Sequence, residues 1–396
     1  MNLVASKLRR PCSPSRSFSP SGVEGPLSTS LGLNGRFPFG RVLALAVAIL
    51  AVGASAADTA TLPNADPSRV ERVFQALGPR GRVAQLLLAY PQVDKTGPVE
   101  VGGVLFVGNS LKNLAKASGR IASAKARSKV PAFFAVDMEG GDFNRMKTHP
   151  ALRDLPSARA LAGLGDAEVE TWGLTVGNAM REIGLNMNLA PVLDVAGSGH
   201  LADNRRSFSG EAAVVERKAR AYARGLMRAG VLPIGKHFPG YGDLAGNSDR
   251  QLVVADWEIA RLREQMDVFH RVAQQLGGVM MANVGYSALG PKPAILNPVL
   301  VTMAHEHGWI TVTDDVSIKV LGEAVKGDTA EVVRQAFLAG NDLLLTTAPP
   351  DWDQGVDYIG ILMELVSGSP ELQAKADLSC RRILALKDRM GLLRGF

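Results

Sequence analysis

Five short apolar runs in this chain stop on residues that carry a charge or a strong hydrogen bond. Asp137 follows Phe133-Phe134-Ala135-Val136, and Asp194 follows Ala190-Pro191-Val192-Leu193. Lys236 and His237 follow Leu232-Pro233-Ile234-Gly235, Asn283 follows Val279-Met280-Met281-Ala282, and Asp314 and Asp315 follow Ile310-Thr311-Val312-Thr313. Acids, a cation, an imidazole and an amide gathered on one rim form a shared polar pocket, the setting in which active sites are built. Taken singly, an Asp or Asn at a strand end also caps the next helix or opens a turn, and that reading stays open for each of them.

Those ends meet only if the runs are strands of one sheet. Apolar stretches at 101–107, 132–137, 187–195, 231–238, 278–284, 309–315 and 342–347 are rich in Val, Leu, Ile and Phe, as buried parallel strands are. Between them, 166–183, 212–229, 256–275 and 328–339 have helical spacing, and 354–395 reads as two closing helices. Repeated strand-then-helix units over this length favour an α/β fold of the (β/α)8 TIM-barrel type in a single domain, 58–396, over an open doubly wound sheet. No G-x-G-x-x-G or G-x-x-x-x-G-K-[ST] follows any of these strands, so nucleotide binding lacks its usual sign.

The chain has 396 residues, 46% hydrophobic and 21% charged, the profile of a globular protein rather than a disordered or disulfide-stapled one. Its net charge of +6 invites a nucleic-acid reading, but residues 1–57 hold Lys7, Arg9, Arg10, Arg16, Arg36 and Arg41 against Glu24 alone, which leaves only +1 elsewhere. With mixed charges beyond residue 57, no nucleic-acid partner is expected. Arg41 leads into an apolar run, 42–52, and then Ala54-Ser55-Ala56, a small-x-small cleavage site. Residues 1–57 therefore read as a leader, its signal peptide at about 41–57 behind a long n-region or an early start, and the product as periplasmic or secreted. An 11-residue run is too short for a bilayer, so no membrane span is expected after processing. Cys12 lies in the leader and Cys380 is the remaining Cys, which excludes an intramolecular disulfide. There is no H-E-x-x-H and no Cys ligand set, and His305 and His307 read as a solvated helix end; no metal and no cofactor are expected.

The strand ends also carry a resemblance. Lys236-His237-Phe238-Pro239-Gly240-Tyr241-Gly242, followed by Asn247-Ser248-Asp249, is similar to the K-H-F-P-G-H-G…D-S-H signature of bacterial β-N-acetylglucosaminidases of glycoside hydrolase family 3. Asp137-Met138-Glu139-Gly140-Gly141 with Arg145 resembles the D-x-E-G-G…R segment of that family. Ala190-Pro191-Val192-Leu193-Asp194-Val195 resembles A-P-V-L-D-V, Arg206-Ser207-Phe208 resembles R-S-[YF], and Thr313-Asp314-Asp315-Val316-Ser317 resembles S-D-D-L-S. The resemblance runs over roughly 70–395 and extends to the single-barrel members.

It implies a retaining double displacement: a carboxylate attacks the anomeric carbon, and a second group protonates the leaving oxygen and then activates water. Asp314 falls at the nucleophile position, with Asp315 as the neighbouring alternative, and Lys236, Arg145 and Arg206 are expected to keep its carboxyl ionised. Asp137, Arg145, Arg206, Lys236 and His237 fall at positions that hydrogen-bond sugar hydroxyls in relatives. The implied partner is a small glycan, with peptidoglycan-derived fragments following from export, and the implied state is a monomer.

The departures are local. Relatives carry the acid/base His on a mobile loop, tuned by an Asp two residues earlier; here those positions are Asp249 and Asn247. Tyr241 replaces the second His of K-H-F-P-G-H-G, Asp142 replaces an Arg, and Asn283 replaces a strand-end His. Asp249 thus reads as the acid/base, as a loop residue with Asp243, Glu139 or nothing in its place, or as the mark of a protein that binds glycan without cleaving it. A β-glucosidase- or xylosidase-like specificity is the further alternative.

Overall fold

The computed structural model describes residues 61–90, 99–347 and 357–396; the expected leader lies outside the described residues. Among the described residues, ten short strands occur in chain order. They are β1 (Leu87–Ala89), β2 (Gly103–Phe106), β3 (Phe133–Val136), β4 (Met187–Asn188), β5 (Leu232–Phe238), β6 (Val253–Ala255), β7 (Gly278–Met281), β8 (Val284–Tyr286), β9 (Ile310–Thr313) and β10 (Leu344–Thr346). Eight of them pair in parallel in the order β10-β1-β2-β3-β4-β5-β7-β9. Leu87 pairs with Leu344 across the β1–β10 seam. The β9–β10 seam is held by a bridge between Val312 and Leu343, where the Thr313 N–H donates to the Leu343 carbonyl at 2.9 Å. The result is a nearly closed barrel of the (β/α)8 type, the expected fold.

All of the eight strands are buried along their whole length, because helices cover the outside and side chains fill the inside. The helices Asp166–Glu182 and Ala212–Arg228 pack almost backbone to backbone: a Cβ at Gly173 would lie 2.2 Å from the Tyr222 carbonyl oxygen, and one at Gly225 2.1 Å from that of Glu170. That approach delivers Tyr222, whose hydroxyl donates to the Met138 carbonyl at 3.1 Å and so pins the loop after β3. Asp328 caps the helix Thr329–Ala339, its Oδ1 accepting the Glu331 N–H at 3.0 Å, and Gly340 ends it at φ 106°.

Three expectations need correction. The apolar stretch 187–195 pairs as a strand only at Met187–Asn188, since Pro191 has no N–H for a ladder and Val192 makes a single bridge to Lys236. The stretch 278–284 is interrupted at Ala282 and Asn283, after which β8 pairs with β6 in a separate two-stranded sheet. The His305–His307 segment is not merely solvated: His305 bonds the buried Asp342 carboxylate at 2.8 Å, and His307 stacks on His270 at 4.0 Å between ring centroids. None of the described helices is long and apolar enough to cross a membrane.

Candidate active site

The loop leaving β3 carries two carboxylates, Asp137 and Glu139. Asn188 at the end of β4 fixes it from both sides, its Oδ1 accepting the Met138 N–H at 2.9 Å and its Nδ2 donating to the Met138 carbonyl at 3.2 Å. Lys236 reaches this loop from β5 and places Nζ 2.6 Å from Asp137 Oδ1 and 2.6 Å from Glu139 Oε1. Arg206 grips Glu139 with two bonds, Nε to Oε2 at 2.7 Å and Nη2 to Oε1 at 2.8 Å. Burial alone would push the Glu139 carboxyl up, but Arg206 and Lys236 outweigh it and hold it far below the usual carboxylate range. Burial likewise opposes the charge on Lys236, and the Asp137 and Glu139 carboxylates overcome it, so its ammonium is held more firmly than in water.

Adjacent strand residues ordinarily point to opposite faces. Against β7, however, the register slips between Lys236 and Phe238, so Lys236 pairs with Met280 and Phe238 with Met281. The slip turns His237 toward the same pocket as Lys236. The fully buried Asp194 then orients it, accepting from His237 Nδ1 at 2.7 Å, from the His237 N–H at 3.1 Å and from the Tyr241 N–H at 2.6 Å. With Nδ1 bound to a carboxylate, Nε2 faces the pocket 3.5 Å from Arg206 Nη2.

Tyr241 fastens the loop that follows β5. Its hydroxyl donates to the Gly246 carbonyl and accepts the Ser248 N–H at 3.0 Å, while Asn247 Oδ1 accepts the Asp249 N–H at 2.9 Å. Tyr241→Phe removes both hydroxyl bonds and leaves the ring in place. The expected result is about 1–2 kcal/mol lower stability in denaturant unfolding, together with faster amide exchange at residues 246–249.

At the end of β9 the two adjacent acids differ. Asp315 is occupied: Oδ1 accepts from the Ser317 N–H at 2.9 Å, the Ser317 hydroxyl at 2.6 Å and the Thr347 N–H at 3.2 Å, and Oδ2 from the Thr347 hydroxyl. Asp314 accepts one bond, from the Asp315 N–H to Oδ1 at 2.8 Å, which among the described residues leaves Oδ2 for the pocket. Of the cations expected to keep Asp314 ionised, Lys236 and Arg206 are ion-paired with Asp137 and Glu139, and Lys236 still favours the Asp314 carboxylate. Burial pushes the Asp314 carboxyl up to about 6; His237 opposes the rise and Asp249 adds to it, so the group stays mainly ionised at neutral pH. If turnover needs the carboxylate, kcat/KM falls as pH drops through about 6, and a pH–rate profile measures that limb.

Asp137, Arg145, Arg206, Lys236, His237, Asp249 and Asp314, drawn from six separate stretches of sequence, all line one cavity of about 170 Å³. Glu139, Phe143, His200, Tyr241 and Asp315 line it too. The Arg206 guanidinium lies 4.6 Å from the Phe143 ring centroid, a cation–π contact that holds its plane. Of the departures, Asp142 pairs with Arg205 at the surface at 2.9 Å, and Asn283 is buried without lining the cavity. Glu139 and Asp194 were visible as charges in motifs, but their partners come from distant loops and only the fold supplies them. Among the described residues no three His, Cys, Asp or Glu side chains gather as a metal site.

The sequence pattern of the glycosyl hydrolase family 3 N-terminal domain matches residues 90–386, a span that contains every residue lining the cavity. The chain belongs to glycosyl hydrolase family 3. Within the family, it is 34% identical over 227 residues to a β-hexosaminidase of Methylococcus capsulatus, covering 55% of this chain and 67% of that one. The structure resembles that of a β-N-acetylhexosaminidase from Beutenbergia cavernae, with a TM-score of 0.70, 27% identity and coverage of 78% of this chain and 98% of the other. It also resembles a family 3 β-N-acetylglucosaminidase from Paenibacillus, with a TM-score of 0.71 and 26% identity; the likeness covers 80% of this chain but 63% of that longer one.

Proposed function

We propose that this family 3 protein is an exported, retaining β-glycosidase that removes terminal β-linked N-acetylhexosamine through an aspartyl glycosyl-enzyme intermediate. The observation that carries the reading is Asp314, a carboxylate with an uncommitted oxygen on the floor of a pocket whose walls are charged hydrogen-bonding groups. Asp137, Arg145, Arg206, Lys236 and His237 hold the sugar hydroxyls, each of which offers one donor and two lone pairs. Asp314 attacks the anomeric carbon, the glycosidic bond breaks, and the leaving oxygen takes a proton from the side of the pocket where Asp249 stands. Water then attacks the anomeric carbon and gives up its proton to the same side, while the bond from that carbon to the Asp314 oxygen breaks and returns its electron pair to Asp314.

The choice of amino sugar rests on the β-hexosaminidase and β-N-acetylhexosaminidase relatives. Export rests on the apolar run and small-residue site of the leader, and together they make envelope glycan fragments the natural substrate. The test is hydrolysis of an aryl β-N-acetylglucosaminide and an aryl β-glucoside by the full chain, with Asp314→Asn as control. Turnover of the amino sugar that vanishes in the variant supports the reading. Preference for the glucoside overturns the specificity, and sugar binding with no turnover overturns the chemistry, leaving a glycan-binding barrel.

A further inference from the structure

One histidine in the cavity has no part in the sugar-binding floor. His200 lies on the short helix Gly199–Asp203, carried by the loop after β4, and lines the same cavity as Asp314 and Asp249. Its Nδ1 faces the Asn204 amide at 3.4 Å, which leaves Nε2 as the nitrogen open to the cavity. Its ring lies beside that of Tyr241, 6.2 Å between centroids.

The segment holding His200 is stitched to the loop that holds Asp249. Asp243 Oδ1 accepts the Gly197 N–H at 2.8 Å and the Ser198 N–H at 3.0 Å, and the His200 N–H donates to the Leu244 carbonyl at 2.9 Å. Gly199, at φ 76°, sits so close that a Cβ there would lie 2.4 Å from the Asp243 carbonyl oxygen. The two segments therefore present their side chains as one unit. Asp249 itself is exposed, at the mouth of the cavity that His200 also lines.

We infer that His200 is the general acid/base of this site: a catalytic imidazole supplied by the loop after β4, lining the same cavity as the Asp249 carboxylate from the loop after β5. The inference rests on the retaining-hydrolase reading above. In the first step the anomeric carbon–oxygen bond breaks as Asp314 attacks, and the leaving oxygen takes the proton from His200 Nε2, which becomes neutral. In the second step neutral His200 takes a proton from water as its oxygen attacks the anomeric carbon and the ester bond to Asp314 breaks, and the imidazolium is restored.

The surroundings pull on the charge of this histidine in both directions. Burial, Arg206 and His237 disfavour its charge, while Asp249 and Asp203 favour it, and the balance lies below the ordinary histidine value. On this assignment Asp314, pushed up to about 6, sets the acid limb of a bell-shaped pH–rate profile, and His200, which must be protonated to act, sets the alkaline limb.

The test compares the full-length wild type, His200→Gln and Asp249→Asn on an alkyl and a nitrophenyl β-N-acetylglucosaminide, with and without sodium azide, after thermal melting has shown each to be folded. His200→Gln is expected to lose about 10²- to 10⁴-fold on the alkyl glycoside and much less on the nitrophenyl one, which needs no protonation. Azide should accelerate this variant and yield a glycosyl azide, and its alkaline limb should vanish. Asp249→Asn should keep that limb, displaced to lower pH. Azide rescue in Asp249→Asn but not in His200→Gln, or equal losses of His200→Gln on both substrates, would overturn the assignment. A wild type without turnover on either substrate overturns the hydrolase reading and this inference with it.

Discussion

Asp314→Asn is expected to lower turnover of an aryl glycoside by at least about 10⁴-fold, the scale on which loss of a nucleophile is felt, while the sugar binds within a few-fold of its original affinity. The asymmetry follows from the division of labour in the pocket. Sugar contacts are assigned to Asp137, Arg145, Arg206, Lys236 and His237, and Asp314 keeps a carboxylate oxygen that no described protein group occupies. An amide preserves shape and the bond from the Asp315 N–H, but it cannot form the ester. The measurement pairs steady-state kinetics with calorimetric titration of the free sugar. A fluoro-sugar that stalls the second step should add its mass to the peptide containing Asp314 in the wild type and to nothing in the variant. Labelling of Asp315 would move the nucleophile one residue along.

Glu139→Ala carries the largest expected cost in stability, about 3–5 kcal/mol, because it removes one member of a buried charge network and strands the others. Lys236 is 2% exposed and would keep Asp137 alone, while Arg206 would lose both of its short bonds. Glu139→Gln keeps the shape and an acceptor oxygen and should cost less. Since the folded protein holds this carboxyl below its unfolded value of 4.5, its contribution is fully present above pH 4.5 and is lost as pH falls below it. Denaturant unfolding at pH 7 and at pH 3 should therefore show a gap between wild type and Glu139→Ala that narrows in acid. A gap that does not change with pH would mean the carboxylate charge is not what stabilises the site.

The barrel and most of its floor can be read from the chain because each strand is a buried apolar run that ends on a polar residue, as Val136 does before Asp137 and Thr313 before Asp314. Local chemistry sets those boundaries, and helices such as Asp166–Glu182 fall where periodicity puts them. The first strand is different. Leu87–Ala89 is three residues inside a leucine run that continues from a helix, and no period can be read from so short a piece. The pairing of β6 with β8 is equally short and depends on a turn at Asn283. In the site, neither the grip of Arg206 on Glu139 nor the hold of Asp194 on His237 has a sequence signature, because each joins loops more than 40 residues apart. His200 is the clearest case, since nothing in Gly197-Ser198-Gly199-His200 announces that it will meet the loop carrying Asp249.

The lining of the cavity also sets what the pocket will admit by sign of charge. Five acids, Asp137, Glu139, Asp249, Asp314 and Asp315, face three permanent cations, Arg145, Arg206 and Lys236. Two of those cations are already neutralised by Asp137 and Glu139, so an incoming ring meets a negative interior once Asp314 is ionised. A neutral acetamido or hydroxyl sugar pays no electrostatic penalty on entry, whereas a ring bearing a carboxylate or a phosphate is repelled, more strongly in dilute buffer than in salt. The carboxylates proposed to bind and attack the sugar thus also form a filter at the door, sorting neutral rings from anionic ones before any chemistry begins.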